Sequence, residues 1–381
     1  RKHLCDTYAR VQRDLGPKIM YIDEIGSTDG RWTCWAKDHG HNSREIPYAG
    51  EAALLRDIRT AVGPAVALYT DTGSDLFVDS RNTLQAREES HANVYEIRKR
   101  WEEIHEHLEG LNIKTLGIES NAIDLDSFLQ MKNLFTGIEM NPMGGQLKYL
   151  RSVKDPGEAA LIGEAARIAG AALGEVLAEG IVGRREIDVA FELECAMRRL
   201  GAGGPSFETI VASGPRSAMP HGAASERVIG PGEAVVFDFG SMYKGYASDE
   251  TITVYTGEPS PEFVRVYTHV RKAQALAIEA LGPKVRAADV DRIARDYLES
   301  VGLARYFGHG LGHGVGMEIH EMPTLSNLSK DTLEEGMVVT VEPGVYLAGK
   351  FGVRTEDTLL IADTACKRLT NLDKDSIKVT S

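Results

Sequence analysis

Cysteine is scarce in this 381-residue chain, and the four present, Cys5, Cys34, Cys195 and Cys366, stand far apart in no ligand-like pair. That argues against a disulfide framework or a cysteine-based metal site and makes a reducing cytoplasm the expected setting. Long apolar runs are missing too. Stretches such as Ala65 to Tyr69 fall far short of the roughly 20 residues that span a bilayer. Residues 1 to 30 mix Arg1, Lys2, Asp6, Arg10, Arg13 and Asp14 without an apolar segment, so no signal peptide is expected. A start at Arg1 rather than Met points to a processed or trimmed end. Basic charge is in deficit: 43 Lys plus Arg stand against 56 Asp plus Glu, a formal balance of −13. Nucleic acid and anionic membranes are thereby disfavoured as partners, and cationic ligands, metal ions among them, are favoured.

What is present points to two domains, because single cores rarely grow past about 250 to 300 residues. Residues 61–150 read as a small α/β domain. Val66 to Tyr69, Leu76 to Val78 and Lys114 to Ile118 are expected as strands. Thr83 to Glu109 is expected as one long helix, and Asp124 to Phe135 as another capped by Asp124 or Asp126. Residues 1–60 are less legible. There, Trp32, Trp35, His39 and His41 lie in a polar, turn-rich stretch where two histidines are most simply solvated.

Residues 151–381 carry an internal repeat. Asp155-Pro156 is an N-cap and N1 pair opening a helix to about Glu179, with Arg185 to Leu200 as its partner. Ser260-Pro261 repeats the device ahead of Glu262 to Leu281 and Ala287 to Val301. From Pro156 to Asp238 is 82 residues and from Pro261 to Glu342 is 81, so two halves of helix, helix and acid-bearing hairpin are expected in one domain.

In the first hairpin, a turn centred on Tyr243 and Lys244 would set Asp238 directly opposite Asp249. In the second, a turn centred on Gly349 sets Glu342 opposite Glu356. Two like charges 4 Å apart repel by about 4 kcal/mol at an effective dielectric of 20, so a shared proton or bound cations must compensate. The acids sit in β-branched and aromatic runs typical of buried strands, which disfavours simple solvation. Four such carboxylates exceed what proton sharing comfortably neutralises, and divalent metals are the simplest answer.

Every second residue from Gly308 to Gly316 is glycine. An extended strand would then leave one face bare for close backbone approach and put His309 and His313 on the other, about 13 Å apart. Only one of them could then bind a given metal. His221 follows Pro220, and His320-Glu321 belongs to no H-E-x-x-H zinc helix because Thr324 stands where the second histidine would fall.

The stretches Asp238-Phe239-Gly240, Tyr246-Ala247-Ser248-Asp249, Gly312-His313-Gly314-Val315-Gly316, Ile319-His320-Glu321-Met322-Pro323, Val341-Glu342-Pro343-Gly344 and Gly352-Val353-Arg354-Thr355-Glu356-Asp357 resemble, in order and spacing, the pita-bread metallopeptidases. That family includes Xaa-Pro aminopeptidase, Xaa-Pro dipeptidase (prolidase), methionine aminopeptidase and the metal-free creatinase. The resemblance covers about 150 to 381. Residues 76–90 also look like part of the creatinase-type N-terminal domain, which the Xaa-Pro enzymes carry. Ile252 departs from the common Ser-Asp-x-Thr-Arg-Thr pattern, where Arg is usual.

The resemblance implies an α/β N-terminal domain (1–150) and an α+β pita-bread catalytic domain (151–381) with pseudo-twofold repeat. It implies two divalent ions: Asp238 chelates one, His313 and Glu342 bind the other, and Asp249 and Glu356 bridge them. A bridging hydroxide would attack the peptide carbonyl with Glu342 as proton carrier, while His221, His309 and His320 polarise the carbonyl, stabilise the oxyanion and contact substrate. Arg354 would orient the Glu356 bridge or meet a substrate carboxylate. Oxygen-rich ligands with one imidazole favour Mn²⁺, with Co²⁺ or Zn²⁺ as alternatives. The implied substrates are short peptides with proline second, and the implied assembly is a homodimer. A metal-dependent enzyme acting on a non-peptide amide, and an inactive pita-bread binding module, are the competing readings.

Overall fold

The computed structural model describes residues 20–25, 65–70, 73–90, 92–375, 377 and 379–380. Cys5, Trp32, Cys34, Trp35, His39 and His41 lie outside them. The chain divides into two units, Arg1–Arg151 and Ser152–Ser381.

The first unit holds a six-stranded sheet in the order Asn93–Glu96, Gly73–Val78, Ala65–Thr70, Met20–Ile25, Thr115–Ile118, Glu139–Pro142. Val66, Leu68, Phe77 and Leu116 from its strands pack with Trp101, Ile104 and Leu108 of helix Arg100–Gly110 and with Met131 of helix Leu125–Leu134. Asp124 caps the latter, its carboxylate accepting the Ser127 N–H at 2.8 Å. The single long helix expected from Thr83 to Glu109 is corrected. Helix Thr83–Glu89 ends, Asn93–Glu96 forms an edge strand parallel to Gly73–Val78, and a new helix begins at Arg100. The β-formers Val94 and Tyr95 gain a ladder there. The Glu103 carboxylate then restarts the helix by accepting the Arg98 and Lys99 N–H groups at 2.8 and 2.6 Å.

The second unit is the repeat. Helix Pro156–Ala178 starts at an Asp155–Glu158 capping box, and helix Pro261–Glu279 at a Ser260 cap. Each is followed by a partner, Glu186–Arg199 and Ala287–Ser300 respectively. The strands Ala234–Phe239 and Glu250–Thr256 pair antiparallel, as do Val338–Val341 and Asp357–Ile361. Helix residues Ile168, Leu173, Leu193 and Met197 bury Val235, Phe237, Ile252 and Val254. Each such side chain contributes roughly 1.5 to 3 kcal/mol of transfer free energy, so the strand carrying Asp238 is anchored from its apolar face.

Glycine shapes one junction. Only Gly312–Gly314 of the alternating run forms a strand, which corrects the expected extended stretch from Gly308 to Gly316. A Cβ on Gly312 would lie 2.1 Å from the Thr340 carbonyl oxygen, and one on Gly314 would lie 2.1 Å from that of Met322. Neighbouring backbones therefore close on both sides of His313, as the bare face requires.

Candidate metal centre

The second hairpin keeps the expected register. Val341 pairs with Asp357 and Gly344 with Arg354. Glu342 and Glu356 fall across from each other in the short break between these two ladders.

The first hairpin is shifted by two residues. Asp238 faces Thr251, Phe239 faces Glu250 and Tyr243 faces Tyr246, so the direct Asp238–Asp249 pairing is corrected to a diagonal one. The cause is the turn. Lys244 and Gly245 both have positive φ, 46° and 78°. This is the two-residue geometry that prefers glycine at its second position, and it moves the turn one residue along from Tyr243-Lys244. Parity is unchanged, so Asp238 and Asp249 stay on one face.

The two halves are stitched where the acids stand. The Glu356 N–H donates to the Thr251 carbonyl at 3.0 Å, and the Thr358 hydroxyl donates to the Asp249 carbonyl at 2.7 Å. The Thr251 hydroxyl donates to Glu356 Oε2 at 2.6 Å. Ligand atoms of Asp249, His313 and Glu356 come within 4.8 Å of one another. His313 Nε2 lies 3.4 Å from Asp249 Oδ2 and 3.5 Å from Glu342 Oε1. Nδ1 of His313 lies 3.1 Å from the Gly314 carbonyl. Only a donating N–H satisfies that contact, which leaves Nε2 as the ring nitrogen directed at the acids.

Asp249 and Glu356 are 4% and 1% exposed. Burial, then the charges of Asp238 and Glu342, pushes Asp249 well above the usual carboxylate range, and burial with Asp249 does the same to Glu356. Burial also raises Glu342. Among the described residues, Glu356 Oε1 is buried without a hydrogen-bond partner. A buried acid cluster with an orphaned oxygen and an inward imidazole nitrogen is chemically suited to divalent cations.

Asp238 stands outside the tight triple because its Oδ2 holds the Arg354 guanidinium. Arg354 reaches Glu356 only through the Thr251 hydroxyl, which accepts from Arg354 and donates to Glu356. Arg354 is 3% exposed and donates to Asp238, to the Pro220 carbonyl at 3.0 Å, to Tyr346 Oη at 2.8 Å and to the Thr251 hydroxyl at 3.1 Å. Tyr346 is a residue that sequence reasoning missed. Its hydroxyl accepts from Arg354 and lies 2.9 Å from His309 Nε2, while His309 Nδ1 meets the Gly310 carbonyl at 2.8 Å. The chain Arg354, Tyr346, His309, Gly310 thus runs donor to acceptor. His309 is pushed down to about 4 by burial and by nearby Arg354, and burial pushes the Tyr346 phenol up to about 12.

His320 packs its ring against His313 with centroids 4.3 Å apart, and is pushed down to about 4 by burial and by His313. His221 is exposed, beside the Pro220 carbonyl that Arg354 holds. Buried Thr251, Thr253, Thr340 and Thr358 were the available signal for the stitching, since hydroxyls interrupt otherwise apolar strands. Ile252 is buried and faces Phe237, so the position where the family pattern has Arg serves the core.

No helix among the described residues is long and apolar enough to cross a membrane. Residues 160–363 match metallopeptidase family M24, and residues 60–153 match the creatinase/prolidase N-terminal domain. The chain is 42% identical over 270 residues to an uncharacterized peptidase of Bacillus subtilis, covering 71% of this chain and 76% of that one. It is 40% identical over 302 residues to the Xaa-Pro dipeptidase of Pyrococcus furiosus, covering 79% and 85%. The crystal structure of X-Pro aminopeptidase from Thermotoga maritima superposes with a TM-score of 0.84 at 33% identity, covering 97% of this chain and all of that one. The chain therefore belongs to metallopeptidase family M24, a metallo-exopeptidase of pita-bread fold with a creatinase/prolidase N-terminal domain.

Proposed function

We propose that this metallopeptidase hydrolyses Xaa-Pro bonds at peptide N-termini or in dipeptides, with two divalent ions held by Asp238, Asp249, His313, Glu342 and Glu356. The observation that carries the reading is the buried convergence of Asp249, His313 and Glu356, with Glu342 at the His313 ring. Ions bound there would supply Lewis acidity and acidify a water toward neutrality. Mn²⁺ is the proposed metal because the donors are oxygen-rich with a single imidazole.

Glu342 is suited to proton transfer. Beside the His313 ring, its carboxylate would take a proton from the attacking water and release it to the departing nitrogen. An Xaa-Pro bond is a tertiary amide, so its proline nitrogen leaves only after gaining that proton. His320 and His221 stand at the rim, where imidazole N–H groups can meet the carbonyl oxygen as it gains charge. His309, with both nitrogens engaged, acts through the Tyr346 hydroxyl, and Arg354 holds Asp238 and Tyr346 in place. Free Cys195 and Cys366 accord with the proposed cytoplasmic setting, and a homodimer is proposed from the family resemblance.

The test is hydrolysis of Xaa-Pro dipeptides, Xaa-Pro-containing tripeptides and Met-leading peptides with and without Mn²⁺. Cleavage confined to the Xaa-Pro series and dependent on metal is expected. Metal-loaded protein that cleaves none of them overturns the proposal.

A further inference from the structure

Behind the acid cluster lies a second charged group, fully enclosed. Glu250 directly follows Asp249 and Asp357 directly follows Glu356, so in extended backbone their side chains point to the opposite face. They occupy equivalent places in the two halves of the repeat and are 1% and 0% exposed. One cation touches both, while Arg368 Nε, half-exposed, lies 3.5 Å from Asp357 Oδ1. The Lys374 ammonium donates to Asp357 Oδ1 at 3.0 Å and to Glu250 Oε1, and its side chain is 0% exposed.

Lys374 comes from the C-terminal segment, outside both halves of the repeat. The Tyr267 hydroxyl fixes it by donating to its backbone carbonyl at 3.0 Å. The Thr370 hydroxyl donates to Asp357 Oδ1 at 2.8 Å, and the Leu372 N–H lies 3.3 Å from Glu250 Oε1. Gln274 extends the network toward the front face. Its amide nitrogen donates to Asp357 Oδ2 and to the Val341 carbonyl, both at 3.0 Å, while its oxygen accepts the Thr355 hydroxyl at 2.8 Å. Val341 and Thr355 are the residues immediately before Glu342 and Glu356. The back network therefore touches residues adjacent to three of the four candidate carboxylate ligands.

Without the ammonium, two buried carboxylates would face each other across the seam between the halves, and their repulsion would push apart the strands that present Asp249 and Glu356. We propose that Lys374 is a positioning residue for the metal pair: it clamps Glu250 to Asp357 and so sets the separation of the two bridging acids, hence the spacing of the ions. The inference rests on the two-ion reading above.

The experiment uses the full chain loaded with Mn²⁺ alone, with binding followed by calorimetry and ion–ion exchange coupling by electron paramagnetic resonance. Wild-type protein is expected to bind two Mn²⁺ and give a coupled spectrum. Lys374→Met should bind its second Mn²⁺ about 10- to 100-fold more weakly and lose the coupled signal. Because that variant leaves buried Glu250 without its cation, facing an Asp357 that keeps only the half-exposed Arg368, Glu250→Gln/Lys374→Met is made beside it. It removes one anion with the cation, which relieves most of the stranded charge, and should show the same loss of coupling in a folded protein. Two Mn²⁺ bound at wild-type affinity with an unchanged coupled spectrum in either folded variant overturns the role of Lys374. A wild type that never binds two ions overturns the two-ion reading itself, and the role of Lys374 with it.

Discussion

The two acid-bearing hairpins of the repeat perform one task with different local solutions. In the second, Glu342 and Glu356 face each other at a break between two ladders of one register. In the first, the acids are diagonal, and Asp238 is committed to Arg354, a residue of the other hairpin. The loops explain the difference. Leu347 pairs with Phe351 across three residues containing Gly349 at φ 75°, whereas Tyr243 pairs with Tyr246 across only Lys244-Gly245. A three-residue loop with one internal glycine leaves little choice of centre. A two-residue loop is settled by where glycine must sit. Equivalence at the site is thus secured by cross-half hydrogen bonds at Thr251, Thr358 and Glu356 rather than by identical hairpins.

If the hairpins share one centre, removing an acid from either should be equally damaging. Asp249→Ala and Glu356→Ala are each expected to abolish bound metal and to lower Xaa-Pro turnover by at least about a thousandfold, the several kcal/mol that metal catalysis supplies. Parallel metal analysis and kcat measurements check this, and near-normal activity in Asp249→Ala would refute the assignment.

Arg354→Met attacks the asymmetry, since it leaves Asp238 uncompensated while Glu342 and Glu356 keep their positions. The expected cost to the metal-free fold is about 3 to 5 kcal/mol, read from denaturant unfolding. The same substitution should lose most of its cost when Asp238→Asn is added.

His309, tied to the second hairpin through Tyr346, gives a pH signature. Its folded-state value of about 4 lies below the ordinary 6.5, so between those values the unfolded chain binds the extra proton. The stability its neutral form contributes is therefore present above about pH 6.5 and is lost as pH falls toward 4, by up to roughly 3 kcal/mol. Unfolding free energies across that window should change less steeply with pH in His309→Asn, His320 keeping its own share; an unchanged slope contradicts the assignment.

The smallest effects are expected at the turns. Gly245→Ala and Gly349→Ala, both at positive φ, should each cost about 1 to 2 kcal/mol and leave metal occupancy intact. Loss of metal in Gly245→Ala alone would mean that the first register depends on its turn and not on the stitching.

Much of this was legible from local pattern. The caps at Asp155 and Ser260 form as their spacing predicts, because capping needs only neighbours three residues away. The second register follows from one glycine. The Arg354–Asp238 pair, separated by 116 residues, and Lys374 with Glu250, separated by 124, carry no local signature, because only the closed repeat brings them together. The edge strand Asn93–Glu96 was hidden for the same reason: its ladder partner, Gly73–Val78, lies on the far side of helix Thr83–Glu89 in the chain.

The central claim is that the two hairpins build one centre for two ions, and equilibrium binding of Mn²⁺ to metal-stripped wild-type protein tests it most directly. Saturation at two ions per chain is the predicted result. Saturation at one, or no specific binding, would contradict it.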